Sequence, residues 1–445
     1  MTSSFIVQES PQVRVYMNDR LREHKTYTSA LFQLANAATL EGVVEPVIGM
    51  PDLCVSYGLP VGGVIATDAN KGEVSLNAIG GDINCGYSLS QTSICSELFL
   101  KDGNLSRNLG NSLTQKIKDK SRRKNSKEEG IDALLNGAWA REDPQIERIE
   151  REGINYIKNG MELTDEMADV AQKHLGTLGG GNHFIDLMKC SEMYDAELSQ
   201  LWGINPDNVL TLIHTGSRGV GSLIKNKFSQ PERYPTRVKK IFQPRKLDSK
   251  EGKSLLEKYK MGSNFAYANR SALRSKLDES LNELFGVESQ SELIYDLGHN
   301  SINIEKRDGR EVIVHRKGSS QALPSGHCDG GYYKETGTPI ILPGSLGTDT
   351  YILVATERVS ETFNSIAHGS GRKYSRGYVQ SKSHHPRFMK DIDGVYVNLA
   401  FESYVEESPA AYKDIREVVA TLEEAGLVKK VARLKPFYVF MEKEK

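Results

Sequence analysis

Short β-branched and aromatic runs alternate along this chain with stretches whose apolar residues recur at helical spacing. That alternation is the feature that most constrains the fold. The segments "VLTLIHTG" (209–216), "VIVHRKG" (312–318), "PIILPG" (339–344), "YILVAT" (351–356) and "FYVFM" (437–441) each read as a strand bounded near Gly or Pro. In "YKDIREVVATLEEAG", Ile415, Val418, Val419 and Leu422 share one helical face, and Gly426 stands where the helix closes. A longer helix is expected over much of 253–285, where Leu277, Leu281 and Leu284 recur. Strands and helices that intermingle in this way predict a mixed α/β architecture.

The segment from about 103 to 150 turns polar, with "SLTQKIKDKSRRKNSKEEG" at its centre. It is expected as a solvated loop or insertion, with an electrostatic handle for a nucleic-acid backbone as the functional alternative. The stretch "PTRVKKIFQPRK" (235–246) carries the same weak signal. Formal net charge is only −1, so a phosphate-bearing partner must be held by a local patch.

The N-terminal sequence has neither the basic nor the apolar region of a signal peptide, and no apolar run is long enough to span a bilayer. The five cysteines (Cys54, Cys85, Cys95, Cys190 and Cys328) are odd in number and form no CxxC pair. Both a disulfide framework and a zinc ribbon are therefore disfavoured, and a cytoplasmic location is expected.

Four of the ten histidines lie in glycine-rich surroundings: His183 in "GTLGGGNHFIDL", His214 in "LIHTGSRGVG", His299 in "YDLGHNSINIE" and His368 in "IAHGSGRKYSR". A lone histidine beside an apolar run is more often a hydrogen-bonded core residue than a ligand. Four such contexts, together with Asp82 and Cys85 of "GGDINCGYSL", form a mixed N/O/S donor set suited to a divalent transition metal. No HExxH or HxH spacing is present, so any such site has to be assembled from separate loops. The glycines of "GTLGGGNHF" could form an anion-binding nest, although the stretch is neither a Walker A loop nor a dinucleotide fingerprint. Arg218, Arg316, Lys317, Arg372 and Arg376 add cations suited to phosphate; any one of them alone reads as a surface cation beside a turn. These residues point to a metal-dependent enzyme acting on phosphate groups. Composition and spacing do not choose between hydrolysis by metal-activated water and nucleotidyl transfer through a histidine.

Taken in order, "GGDINCG", "GNHF", "IHTGSRG", "HN", "VHRKG", "PGSLGT", "HGSGR..SR", "YKDI" and a terminal "LKP" resemble the motif series of the RtcB family of GTP-dependent RNA ligases, from about residue 45 to the end. The resemblance implies a single catalytic domain over 1–445, with central, largely antiparallel sheets flanked by helices and the active site in a central cleft. It implies two Mn²⁺ ions bridged by Cys85, one also bound by Asp82 and His183, the other by His214 and His299. His368 corresponds to the nucleophile that becomes guanylylated. Asn182 would contact the GTP phosphates, and Phe184, Asp186, Thr350, Gly369, Arg372 and Tyr412 would line the nucleotide site. Arg218, Asn300, Lys317 and Arg376, with Arg372, match polar residues near the RNA ends. The implied reaction joins an RNA 3′-phosphate or 2′,3′-cyclic phosphate to a 5′-hydroxyl, in RNA repair or tRNA splicing. The partners implied are RNA and GTP, with an accessory activator protein and no membrane. A non-ligating relative that binds RNA, or only hydrolyses cyclic phosphates, is the alternative.

This sequence departs from the family pattern at three places. "MPDLCVSYGLPVGG" (50–63) puts Cys54, Val55 and Ser56 where the family usually has MPDxHxGYG, and Cys54 is expected to be a core thiol. Asp186 replaces a longer glutamate, and Met441 stands where a guanine-contacting lysine is usual, with Lys443 two residues on.

Overall fold

The computed structural model describes residues 6–10, 12–24, 26–118, 125–158, 163–228, 236–286, 291–328, 331–382, 392 and 394–443. Two large sheets dominate. The first has six strands in the order Ile6–Ser10, Val13–Tyr16, Val43–Cys54, Val61–Asp68, Arg310–Lys317 and Asn300–Arg307. The second runs Glu292–Gly298, Gly86–Cys95, Asn208–Thr215, Phe184–Met193, Val428–Phe440, Thr350–Ala355 and Pro339–Pro343, with Tyr396–Val397 pairing beside Val428–Phe440. Pairing is antiparallel except between Val13–Tyr16 and Val43–Cys54 and at Tyr396–Val397. The mixed α/β, largely antiparallel architecture expected from the sequence is therefore present.

The register of the second sheet places the site. Gly298 pairs with Gly86, Gly86 with Thr215, His214 with Phe184, and Ile185 with Phe440. Five adjacent strands thus start or finish along one edge, and Cys85, His183 and His299 lie immediately beyond their ends. Antiparallel strands alternate in direction, so residues distant in sequence arrive at that edge from both termini.

Helices cover these sheets. Lys250–Phe285 forms one helix of 36 residues, about 54 Å long at 1.5 Å per residue. It buries Leu255, Phe265, Leu273, Leu277 and Leu281 at helical spacing. Its buried face also carries Arg270, which lies 2.7 Å from Asp296 and donates at 2.7 Å to the carbonyl of Asn84. That bond ties the helix to the loop bearing Asp82 and Cys85. Arg270→Ala is expected to destabilise the fold by about 3–5 kcal/mol, because it strands a buried carboxylate. A lowered urea midpoint is the measurement; an unchanged midpoint would count against this role.

The polar segment does not form the expected loop. Gly103–Lys118 and Lys127–Asn136 are helices, followed by 3₁₀ turns. Leu105, Leu109 and Leu113, four residues apart, pack with Leu273, Leu277 and Leu281 of the long helix. Ser126 and Glu129 form a reciprocal cap at the start of the second helix. Residues 119–124, the most basic part, lie outside the described residues. The second basic stretch is also absorbed by packing: Arg237–Phe242 is helical, Phe242 is buried, and Lys239 donates to Glu73 at 3.1 Å. Among the described residues no helix is long and apolar enough to cross a membrane. None of the five cysteines is joined to another by a disulfide.

Candidate active site

Two groups of three potential metal donors share one residue. Asp82, Cys85 and His183 form one group and Cys85, His214 and His299 the other, with the ligand atoms of each group within 4.8 Å of one another. The Cys85 Sγ lies 3.4 Å from His183 Nε2 and 3.3 Å from His214 Nε2, and His214 Nε2 is 3.4 Å from His299 Nε2. His183 Nε2 sits 2.9 Å from Asp82 Oδ2. The approach of the two loops depends on Gly216: a Cβ there would meet Asp82 Oδ1 at 2.6 Å and the Cys85 backbone at 2.7 Å.

The charge state of the cluster suits a cation. Burial acts to raise the Asp82 pKa, but His183 and Arg218 outweigh it and hold the carboxyl at about 2. Asp82 Oδ1 also accepts from Ser217 Oγ at 3.3 Å and from the Arg218 backbone N–H at 3.2 Å, at the start of the helix Arg218–Phe228. Burial, reinforced by Asp82, pushes the Cys85 thiol well up. Burial, followed by neighbouring histidines, keeps His214 and His299 well below the usual imidazole range. Both rings are thus neutral donors. His214 Nδ1 lies 2.8 Å from the Asn182 carbonyl, which leaves Nε2 as its ligand atom. Asp82, Cys85, His183, His214 and His299 therefore fit one or two divalent transition ions.

His368 lies beside the cluster, its ring centroid 4.7 Å from that of His299. Its Nδ1 is 2.7 Å from Asp52 Oδ2, and its backbone N–H donates to the same oxygen at 3.2 Å. A carboxylate can only accept, so Nδ1 carries a proton, and in the neutral ring the lone pair is on Nε2. Asp52 is fully buried on the Val43–Cys54 strand, which is held by Lys413 Nζ donating to the carbonyls of Pro51 (2.9 Å) and Leu53 (2.6 Å). Gly371 (φ +67°) lets the "HGSGR" loop touch that strand, since a Cβ there would lie 2.1 Å from the Asp52 carbonyl oxygen.

His368 and His214 face a cavity of about 370 Å³ that is also lined by Asn182, Phe184, Asp186, Thr350, Gly369, Arg372, Arg376 and Tyr412. A volume of that order accommodates a nucleotide-sized ligand. The family model described as "tRNA-splicing ligase RtcB" matches residues 33–442. The chain belongs to the RtcB family. Among its relatives, the tRNA-splicing ligase RtcB of Thermococcus kodakarensis is 33% identical over 451 residues, covering 96% of this chain and 94% of the relative. Its counterpart in Nanoarchaeum equitans is 33% identical over 459 residues with the same coverage, and that of Methanococcus maripaludis 32% over 451.

All seven residues assigned to nucleotide binding by resemblance to the RtcB family meet in this one cavity. Asp186 is buried there with Oδ1 unpartnered, and burial pushes its carboxyl well up. Arg372 donates at 2.9 Å to the Tyr412 hydroxyl and pairs with Glu407, which also accepts from Tyr412. Met441 and Cys54 line the cavity as well. Cys54 is buried, as a core thiol would be, yet it stands on the cavity wall rather than among the hydrophobic clusters.

The residues assigned to the RNA ends are dispersed around the metal donors. Arg218 Nη1 lies 3.1 Å from His183 Nδ1, Asn300 donates at 3.0 Å to the Asp82 carbonyl, and Lys317 donates to the Tyr57 carbonyl. Arg376 pairs with Glu406 and Glu407. A guanidinium can only donate, so at this position His183 Nδ1 accepts. Metal ligation through Nε2 would move the proton to Nδ1, and Arg218 would have to withdraw. Arg316 is no phosphate ligand: it is fully buried, 2.7 Å from Glu305, and donates to the Phe363 carbonyl. The glycine-rich stretch expected to form an anion nest uses one of its amides on the protein itself, Gly179 donating at 2.6 Å to Glu442 Oε2. Sequence reasoning missed Asp52 and Glu407. Asp52 lay in plain view in "MPD", but nothing local ties it to a histidine 316 positions away.

Proposed function

We propose that this chain is an RNA ligase that joins 3′-phosphate or 2′,3′-cyclic phosphate ends to 5′-hydroxyl ends through a His368–GMP intermediate, using GTP and Mn²⁺. One observation carries this reading: a histidine with Nδ1 fixed by a buried carboxylate faces a nucleotide-sized cavity beside five converging metal donors. Mn²⁺ held by Asp82, Cys85, His183, His214 and His299 would neutralise phosphate charge and polarise phosphorus–oxygen bonds.

In this scheme Nε2 of His368 attacks the α-phosphorus of GTP. An N–P bond forms, the bond to the β-phosphate oxygen breaks, and pyrophosphate leaves. An oxygen of the RNA 3′-phosphate then attacks that phosphorus, and the N–P electron pair returns to Nε2. Attack by the 5′-hydroxyl on the activated 3′-phosphorus forms the phosphodiester, expels GMP and releases the hydroxyl proton. A cyclic phosphate must first be opened by water. Asp52 keeps His368 in the nucleophilic tautomer throughout. Asp186, kept protonated by burial, offers the base one donor and one acceptor. With a metal ion held by His183, the Arg218 guanidinium would leave that ring and be available to a phosphate.

Incubation with Mn²⁺ and α-labelled GTP should give an acid-labile, alkali-stable protein–GMP adduct that RNA 3′-phosphate discharges. If the protein takes up no label, the ligase reading fails. A relative confined to hydrolysis would open cyclic phosphates without GTP and join nothing.

A further inference from the structure

Beside the metal donors an aromatic ring projects into solvent from a rigidly held segment. Tyr57 is 57% exposed. Its neighbour Ser56 donates its backbone N–H to Gln33 Oε1 at 3.2 Å and accepts from the same side-chain amide. The Tyr57 carbonyl accepts from the buried ammonium of Lys317. The backbone on both sides of the ring is therefore fixed while the ring itself stays open.

Cations flank it. Lys225 Nζ lies 5.9 Å from the ring centroid. The Lys225 stem passes the "GGD" loop, where a Cβ on Gly81 would meet Cδ at 3.2 Å, and the Lys317 stem passes Gly80 at 3.7 Å. Asp82 follows directly. On the other side Val55, itself 46% exposed, lines the His368 cavity. The ring, the Lys225 ammonium and the loop bearing Asp82 form one ledge that continues into the cavity mouth.

We propose that Tyr57 is a stacking platform for an unpaired nucleobase of the RNA strand whose end lies at the metal donors, with Lys225 holding the adjacent phosphate. This rests on the RNA ligase reading. Every base presents a π-face, so a pre-fixed phenol ring binds single strands of any sequence, and an ammonium beside it offsets backbone charge. The pairing gives sequence-tolerant grip near an end, as a ligase acting on varied RNA requires.

The test is direct binding of a short single-stranded RNA with a 3′-phosphate, followed by fluorescence anisotropy with Mn²⁺ and without GTP. Tyr57→Ala should weaken binding roughly tenfold, while Tyr57→Phe, which keeps the ring, should bind nearly as well as the parent. Lys225→Gln should lower the slope of log Kd against log salt by about 0.7. An abasic scan of the RNA needs no variant: one position near the end should cost the parent protein the same factor, and should cost Tyr57→Ala nothing. Equal affinity of Tyr57→Ala and parent, or abasic losses that are absent or identical in the two, would overturn the platform. A parent protein that shows the abasic signature yet never accepts GMP would sink the ligase reading and leave the platform standing.

Discussion

His368→Ala should take up no GMP at all, and Asp52→Asn should form the adduct about 10⁴-fold more slowly while the fold persists. The second effect follows from hydrogen-bond chemistry. Asp52 Oδ2 accepts both the ring N–H and the backbone N–H of His368. An asparagine can turn its amide N–H₂ toward Nδ1, which moves the ring proton to Nε2 and removes the nucleophilic lone pair. Asp52 is absent from the cavity lining, so the nucleotide should bind as before. Single-turnover labelling at varied GTP separates the two quantities: the maximal rate should collapse while the half-saturating concentration holds. Parent-like labelling of Asp52→Asn would show that the carboxylate does not set the tautomer, and full labelling of His368→Ala would place the nucleotide on another residue.

How much of this was legible in the sequence depended on whether the deciding contact was local. The strands at 312–318, 339–344 and 351–356 and the helix after "YKD" were legible because periodicity and glycine punctuation act over a few residues. The five donors were recognisable as a set from chemistry and resemblance. What brings them to one edge is the pairing of Gly298 with Gly86 and of His214 with Phe184, which no spacing encodes. Arg316 reads as a phosphate cation because its partner Glu305 lies on the adjacent strand, and the full burial of Arg316 is a tertiary fact. The segment after residue 103 read as a loop because its polar majority masked leucines spaced by four, which the long helix buries. Asp52 is the sharpest case. It lies in the "MPD" stretch, and no local spacing pairs it with His368, which the fold brings to 2.7 Å.

Cys85→Ala should lower Mn²⁺ affinity by at least about a hundredfold and abolish binding at both donor groups together. Cys85 is the one donor common to both groups, so its loss leaves each with two ligands. His299→Ala offers the contrast, because His299 belongs to one group only and its loss should spare the Asp82–Cys85–His183 set. Calorimetry would read both affinity and stoichiometry. The pH dependence follows from the same residues. Asp82 is ionised far below neutrality, and His214 and His299 are already neutral, so none of these must lose a proton to bind metal. The Cys85 thiol, raised by burial and by Asp82, is protonated at neutral pH and must lose its proton to bridge. Affinity in the parent protein should therefore rise by about tenfold per pH unit from about pH 6 to 8, and the slope should disappear in Cys85→Ser, whose hydroxyl stays protonated. Equal stoichiometry and slope in parent and variant would remove Cys85 from the metal centre and, with it, the case for a shared bridge.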